Sequence, residues 1–258
     1  MSNTKPNVLV LRAPGTNCDV ETAYAFELAG ARAERIHINR LLEDPSLPDR
    51  FQILCFPGGF SFGDDVASGR ILAATIHHHL TDTIRRFRDA QKLILGICNG
   101  FQILIKSGIL IDEDQCGLRA TLTWNKSGVY TDRWARLVAD GDKCVFLRGV
   151  KELYLPVAHA EGRFAARSEG VLDELEKSHR LALRYLPEDN PNGAVRDVAG
   201  VCDETGRVFG LMPHPERHID ATQHPRWTRR KPDGRTANPE TAGDGFVLFK
   251  NAVEYFRD

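Results

Sequence analysis

The sequence lacks several features that would have settled its class at once. No apolar run approaches the length of a membrane span. Neither sign of charge dominates: 34 Lys and Arg stand against 35 Asp and Glu in 258 residues, which argues against broad binding to nucleic acid or to an anionic membrane surface. No Cys-x-x-Cys pair occurs among the six cysteines, so a disulfide framework or a zinc site is not expected, and their irregular spacing suits a reduced, cytoplasmic setting. The first residues, Met1 to Asn7, have no apolar stretch of the kind a signal peptide needs. No Gly-x-x-x-x-Gly-Lys-Ser/Thr is present, hence no phosphate loop for ATP. His77-His78-His79 is the one dense run of metal-ligand residue types. On a helix, consecutive residues fan around the axis and cannot share one ion, so a solvated face is expected and no metal site.

What is present is an alternation of short apolar runs with helical stripes. Val8–Arg12, Arg35–Asn39, Phe51–Phe56 and Lys92–Leu95 read as strands. Between them, Val20, Tyr24 and Leu28 fall on one helical face, and Ile76, Leu80, Ile84 and Phe87 on another. Such alternation predicts an α/β fold with a doubly wound, mainly parallel sheet. After Gly117 shorter strand-like pieces follow, at Arg119–Trp124, Ala135–Val138 and Leu181–Tyr185, then a last strand over Val208–Met212 and a closing helix over Gly245–Phe256. No linker divides the chain, so a single domain over 1–258 is expected, interrupted by a long irregular loop at 217–244. That loop carries Trp227 and Arg226, Arg229, Arg230, Lys231 and Arg235. It reads either as solvated surface or as a lid or partner contact.

The most informative segment is Lys92 to Gln102, Lys-Leu-Ile-Leu-Gly-Ile-Cys-Asn-Gly-Phe-Gln. An apolar strand, a tight glycine-flanked turn and an immediate helix give the nucleophile-elbow layout, with Cys98 in the place of the usual serine. The turn sets Cys98 at the carboxyl edge of the sheet and at a helix N-terminus, where a thiolate is favoured. Gln102, one helical turn on, lies on the same side and can reach a substrate held over the sulfur. The other five cysteines have no such frame and read as ordinary core thiols. Pro213-His214-Pro215-Glu216 follows the last strand. Flanking prolines are expected to hold it extended, so that His214 and Glu216 point the same way. His214 would then be the acid/base and Glu216 its orienting partner. Pro57-Gly58-Gly59 ends another strand, and the N–H groups of Gly59 and Asn99 are the natural oxyanion donors. This glycine-rich loop has few apolar anchors and is expected to be able to move.

The order Pro-Gly-Gly, Gly-Ile-Cys-Asn-Gly-Phe-Gln, Pro-His-Pro-Glu resembles the class I (triad) glutamine amidotransferases. Pro14 to Asp19, Gly58 to Asp65, His159 to Phe164, Asn125-Lys126-Ser127 and Arg133-Trp134 are similar to the glutaminase subunits of phosphoribosylformylglycinamidine synthases. Where that family usually has glycine, this chain has Ala160. The resemblance implies a flavodoxin-like three-layer fold and hydrolysis of L-glutamine to glutamate and ammonia through a Cys98 thioester. It also implies delivery of ammonia to a separate synthetase subunit in purine biosynthesis, with a small accessory subunit. No cofactor is expected in this chain; ATP and magnesium are expected on the synthetase. Low activity of the isolated chain follows from the same division of labour. Two alternatives stand beside this reading. One is a stand-alone Cys-His-Glu hydrolase of γ-glutamyl or peptide substrates, and the other a non-catalytic binding module on the same fold.

Overall fold

The computed structural model describes residues 5–229 and 242–257. One nine-stranded sheet runs through the molecule. Its first strands are β1 (Asn7–Arg12), β2 (Arg32–His37), β3 (Ile53–Phe56) and β4 (Leu93–Ile97), and β11 (Val208–Leu211) joins them. These five lie in the order β2-β1-β3-β4-β11, all parallel. That is the flavodoxin-like order, whose switch point between β1 and β3 opens a crevice at the carboxyl ends. The strands at the centre are buried on both faces, as parallel strands covered by helices must be: every residue of β3, β4 and β11 is buried.

Beyond β11 the sheet continues with β10 (Val198–Cys202), β9 (Leu183–Tyr185), β6 (Thr131–Ala139) and β7 (Glu152–His159), each antiparallel to its neighbour. Alternating direction brings the end of β7 and the start of β6 to the same edge as the ends of β1, β3, β4 and β11. A two-stranded ribbon of β5 (Ala120–Thr123) and β8 (Arg163–Ala166) lies outside the main sheet. β7 was not legible as a strand because Pro156 interrupts it. The proline is tolerated because β7 is the edge strand, where one side needs no N–H for a neighbour.

Helices α1 (Asp19–Leu28) and α7 (Phe246–Glu254) pack together through Phe26 and Phe249, with ring centroids 4.9 Å apart. Helix α2 (Ile38–Glu43) follows β2 and α6 (Glu169–Lys177) follows β8, while α3 (Arg70–His79) and α5 (Asn99–Lys106) pack against one another. Right-handed crossovers leading in opposite directions along the sheet put α1 and α3 on opposite faces. Two helical expectations need correction. Val20, Tyr24 and Leu28 do share a face of α1, but it is the exposed one; Thr22, Ala23, Ala25 and Phe26 are buried instead. The stripe Ile76, Leu80, Ile84, Phe87 is buried throughout, yet it spans two helices, α3 and α4 (Thr81–Asp89), broken at Leu80. Thr81 Oγ1 donates to the His77 carbonyl at 2.8 Å, which replaces a main-chain donor at the break. His77, His78 and His79 are exposed in the last turn of α3.

Candidate active site

Cys98 caps α5 with φ +49° and ψ −102°. A non-glycine residue there is strained by about 1–3 kcal/mol, and the surrounding contacts leave it no alternative. Its N–H donates to Leu211 O at 2.8 Å, tying the elbow to β11. Gly100 is obligatory: a Cβ there would lie 1.9 Å from the Phe56 carbonyl oxygen. Cys98 is 5% exposed, and its sulfur sits 3.8 Å from Ala158 O at the end of β7.

His214 and Glu216 leave β11 at the same edge and meet, with Nδ1 to Oε1 at 2.6 Å. The reason differs from the one the sequence suggests. His214 is extended, but Pro215–Arg217 forms a short 3-10 turn that curls Glu216 back under the ring. The His214 N–H donates to Pro156 O at 2.9 Å, fixing the segment to β7. Both side chains are buried. Burial opposes a charged imidazole here, but the Glu216 carboxylate and then Cys98 outweigh it, and His214 is held well above the ordinary histidine range. Its Nε2 has no hydrogen-bond partner among the described residues, while Cys98 and Cys18 both lie close enough to favour its charged form.

Cys18 is therefore more than a core thiol. It lies at the head of α1 and accepts from Arg217 Nη2 at 3.2 Å. Gly58 leaves the space in which sulfur and imidazole meet; a Cβ there would fall 2.7 Å from His214 Cε1 and 3.1 Å from Cys18 Sγ. Burial pushes the Cys18 thiol up, and its contact with His214 pulls the other way. The segment Pro14 to Asp19 was conspicuous in the sequence, but nothing local revealed that its cysteine reaches a histidine far along the chain.

Gly59 and Asn99, the expected oxyanion donors, both lie close to Cys98. Gly59 lines the cavity that holds Cys98, and Asn99 is the first residue of α5. The Gly59 loop is not loosely held. Phe60 N donates to Gly15 O at 3.0 Å, Phe62 N to Pro14 O at 2.7 Å, and Cys18 N to Gly58 O at 3.2 Å. The loops after β1 and β3 are thus stitched into one unit, and any adjustment moves both.

Cys98 opens into a cavity of about 280 Å³ walled by Gly59, Asp64, Gln102, Trp124, His159 and Glu161, among others. Gln102 does line it, but its amide is already engaged. Nε2 donates to Glu161 O at 2.8 Å, and Oε1 accepts from Asn99 Nδ2 at 3.0 Å. Its geometry fits a brace for the pocket wall. Asp64, at φ +55°, accepts from Ser68, Gly69 and Asn99, and burial raises its carboxyl above the usual range. His159 is pushed down to about 3, first by burial and then by His214, and so is no rival base. Asp64, Glu161 and His159 lie in segments the sequence marked as motifs without indicating what each one does.

The 217–244 loop is pinned at both ends. His224 packs on Trp134 with centroids 4.4 Å apart, and Asp244 Oδ2 accepts from Tyr154 N at 2.8 Å. Trp227 is half-buried, while Arg226 and Arg229 are exposed. Arg230, Lys231 and Arg235 lie outside the described residues.

Comparison with known proteins agrees with this geometry. Residues 5–256 match the CobB/CobQ-like glutamine amidotransferase domain. The chain is 45% identical to phosphoribosylformylglycinamidine synthase subunit PurQ of Dehalococcoides mccartyi, covering 98% of this chain and 99% of that protein. It is 39% identical to the subunit of the same name from Methanococcus maripaludis strain S2, with 99% of each covered. Among solved structures it is similar to a chain of PurLQS from Thermotoga maritima, at TM-score 0.75 and 29% identity, over 98% of this chain and 100% of that one. The elbow, the buried His–Glu pair and this full-length likeness lead to one assignment: the chain belongs to the CobB/CobQ-like glutamine amidotransferase family, among the PurQ subunits of phosphoribosylformylglycinamidine synthase.

Proposed function

We propose that this chain hydrolyses L-glutamine at Cys98 and passes the ammonia to a synthetase subunit that amidates formylglycinamide ribonucleotide. The observation that carries the reading is the buried 2.6 Å His214–Glu216 pair beside a strained cysteine elbow that opens into a cavity. With the Cys98 proton already resting on His214 Nε2, Cys98 Sγ attacks the carboxamide carbon as a thiolate. The carbonyl oxygen becomes an oxyanion that accepts from the Gly59 and Asn99 N–H groups. Collapse expels ammonia, protonated by His214, and leaves a γ-glutamyl thioester. Water, deprotonated by His214, then attacks the thioester and releases glutamate and the thiol. Glu216 accepts from Nδ1 throughout and holds the ring in register.

A synthetase partner is supported by the names of the PurQ relatives and of the PurLQS structure. A small accessory subunit belongs to the same proposal. So do ATP and magnesium on the synthetase, since this chain has no phosphate-loop motif. We place the reaction in the cytoplasm, a reducing setting that suits six free cysteines. The test is to combine the chain with its synthetase and measure formylglycinamidine ribonucleotide formed from glutamine. Glutamine-dependent product is expected. A complex that uses added ammonia but never glutamine would overturn the reading, in favour of an inert module. Hydrolysis of γ-glutamyl peptides in preference to glutamine would favour the stand-alone hydrolase.

A further inference from the structure

We propose that Asp64 and His159 form the subsite that receives the α-ammonium group of the substrate, making the enzyme selective for free glutamine over analogues whose amino group is missing or acylated. The inference rests on the glutaminase reading above and assigns the part of the pocket that recognises the amino acid's other end.

The cavity beside Cys98 is rich in acceptors, and among the described residues no cation lines its wall. Its ionisable lining groups, the nucleophile apart, are Asp64, Glu161 and His159. Glu161 is already answered: Lys106 Nζ lies 3.7 Å from its carboxylate, which also accepts from Ser68 N at 3.2 Å. Asp64 is not. It accepts from Ser68 Oγ at 2.8 Å, Gly69 N at 3.2 Å and Asn99 Nδ2 at 3.2 Å, all neutral donors. Among the described residues no cationic nitrogen lies within 4.0 Å of it. A half-buried carboxylate held only by neutral donors is one that a cationic ligand group can pair with.

His159 supplies a second, independent sign. It is 3% exposed and lines the same cavity. Its protonation is legible from its neighbours. Asn125 Nδ2 donates to His159 O at 2.8 Å and to Val129 O at 3.0 Å, which fixes the amide so that Oδ1 faces the ring. Asn125 Oδ1 also accepts from Gly162 N at 3.1 Å. His159 Nδ1, 3.1 Å from that oxygen, must therefore carry the hydrogen, and Nε2 presents a lone pair. Nε2 has no partner among the described residues. A buried acceptor and an unanswered carboxylate on one cavity wall call for a ligand group that brings both N–H donors and positive charge. The ammonium of an amino acid does so. An α-carboxylate in the same place would meet two carboxylates and a lone pair.

A site built around a polar substrate group rejects analogues that lack it far more strongly than an apolar site rejects a missing methylene. The experiment uses the assembled complex with its synthetase. It compares kcat/KM for glutamine, for glutaric acid monoamide, which lacks only the α-amino group, and for Nα-acetylglutamine. The wild-type complex should prefer glutamine over both by about 10³-fold. Asp64→Asn keeps the shape and most neutral hydrogen bonds. It should lower kcat/KM for glutamine about 100-fold, chiefly through KM, and leave the des-amino amide within about threefold of wild type. His159→Leu should narrow the same preference about tenfold by removing the lone pair. A merely structural role for either residue would depress all three substrates together and leave the preference intact, which would overturn the subsite. Failure of the wild-type complex to hydrolyse glutamine at all would instead overturn the glutaminase reading.

Discussion

Two histidines meet at the carboxyl edge of the sheet, one from each half, and they are opposite in character. His214 follows β11 in the parallel half, is paired with a carboxylate and is held charged. His159 ends β7 in the antiparallel half, is paired with an amide and is held neutral, near 3. The parallel half supplies the groups proposed to react, Cys98, His214 and Glu216, and the two N–H groups proposed for the oxyanion. The antiparallel half supplies the facing wall. The contrast shows that burial alone does not set a histidine's role. What its Nδ1 touches decides whether burial silences it or is overridden.

The sharpest way to break this comparison is to remove the parallel half's groups one at a time. In the assembled complex, Cys98→Ala should abolish glutamine hydrolysis while ammonia-dependent synthesis survives. His214→Ala should cost nearly as much, on the order of 10⁴-fold, and Glu216→Gln about 10²-fold, because members of one catalytic unit are not additive. Near-normal turnover by His214→Ala, with the melting temperature checked, would contradict the division of roles.

The next effect is on stability, and the two histidines predict opposite pH limbs. An unfolded histidine takes a proton near pH 6.5. His159, depressed when folded, contributes stability that is complete above that pH and lost as pH falls toward about 3. At roughly 1.4 kcal/mol per pH unit, the loss between pH 6.5 and 4.5 is about 2–3 kcal/mol. His214, raised when folded, contributes stability present below pH 6.5 and lost as pH rises through its elevated value. Urea unfolding across pH should show a flatter acid limb for His159→Gln and a flatter alkaline limb for His214→Gln. Identical limbs in both variants and wild type would remove the electrostatic distinction.

The parallel half was also the more legible half. Cys98 lies in an elbow whose glycines, strand and helix are contiguous, and His214 and Glu216 are two residues apart, so local chemistry sufficed. The doubly wound, mainly parallel sheet and the edge that gathers the loops followed from the alternation. The antiparallel half was only partly legible. Its pieces appeared as short strands, but β7 was hidden by Pro156, and β10 and the helix at Glu169–Lys177 were not read at all. The pairing of Asn125 with His159 across 34 residues, and of Cys18 with Arg217 across 199, has no local signal. Helix α1 shows a related limit: its apolar stripe is real, but the core takes the side lined with small residues, which lets α1 approach the sheet closely.

The smallest expected effect concerns the 217–244 loop, which begins beside Glu216 in the parallel half and packs on Trp134 and Tyr154 in the other. Replacing Trp227 and Arg229 together with alanine should weaken synthetase binding or raise KM for glutamine about three- to tenfold, with the fold unchanged. Wild-type values for both would make this segment plain surface.

The central claim is that Cys98, and not the neighbouring Cys18, carries the substrate. Acid quenching of the complex during glutamine turnover, followed by peptide mapping, reads this directly. A γ-glutamyl thioester on the peptide containing Cys98, with Cys18 unmodified, is the predicted result. An adduct on Cys18, or one that persists in Cys98→Ala, would contradict the account.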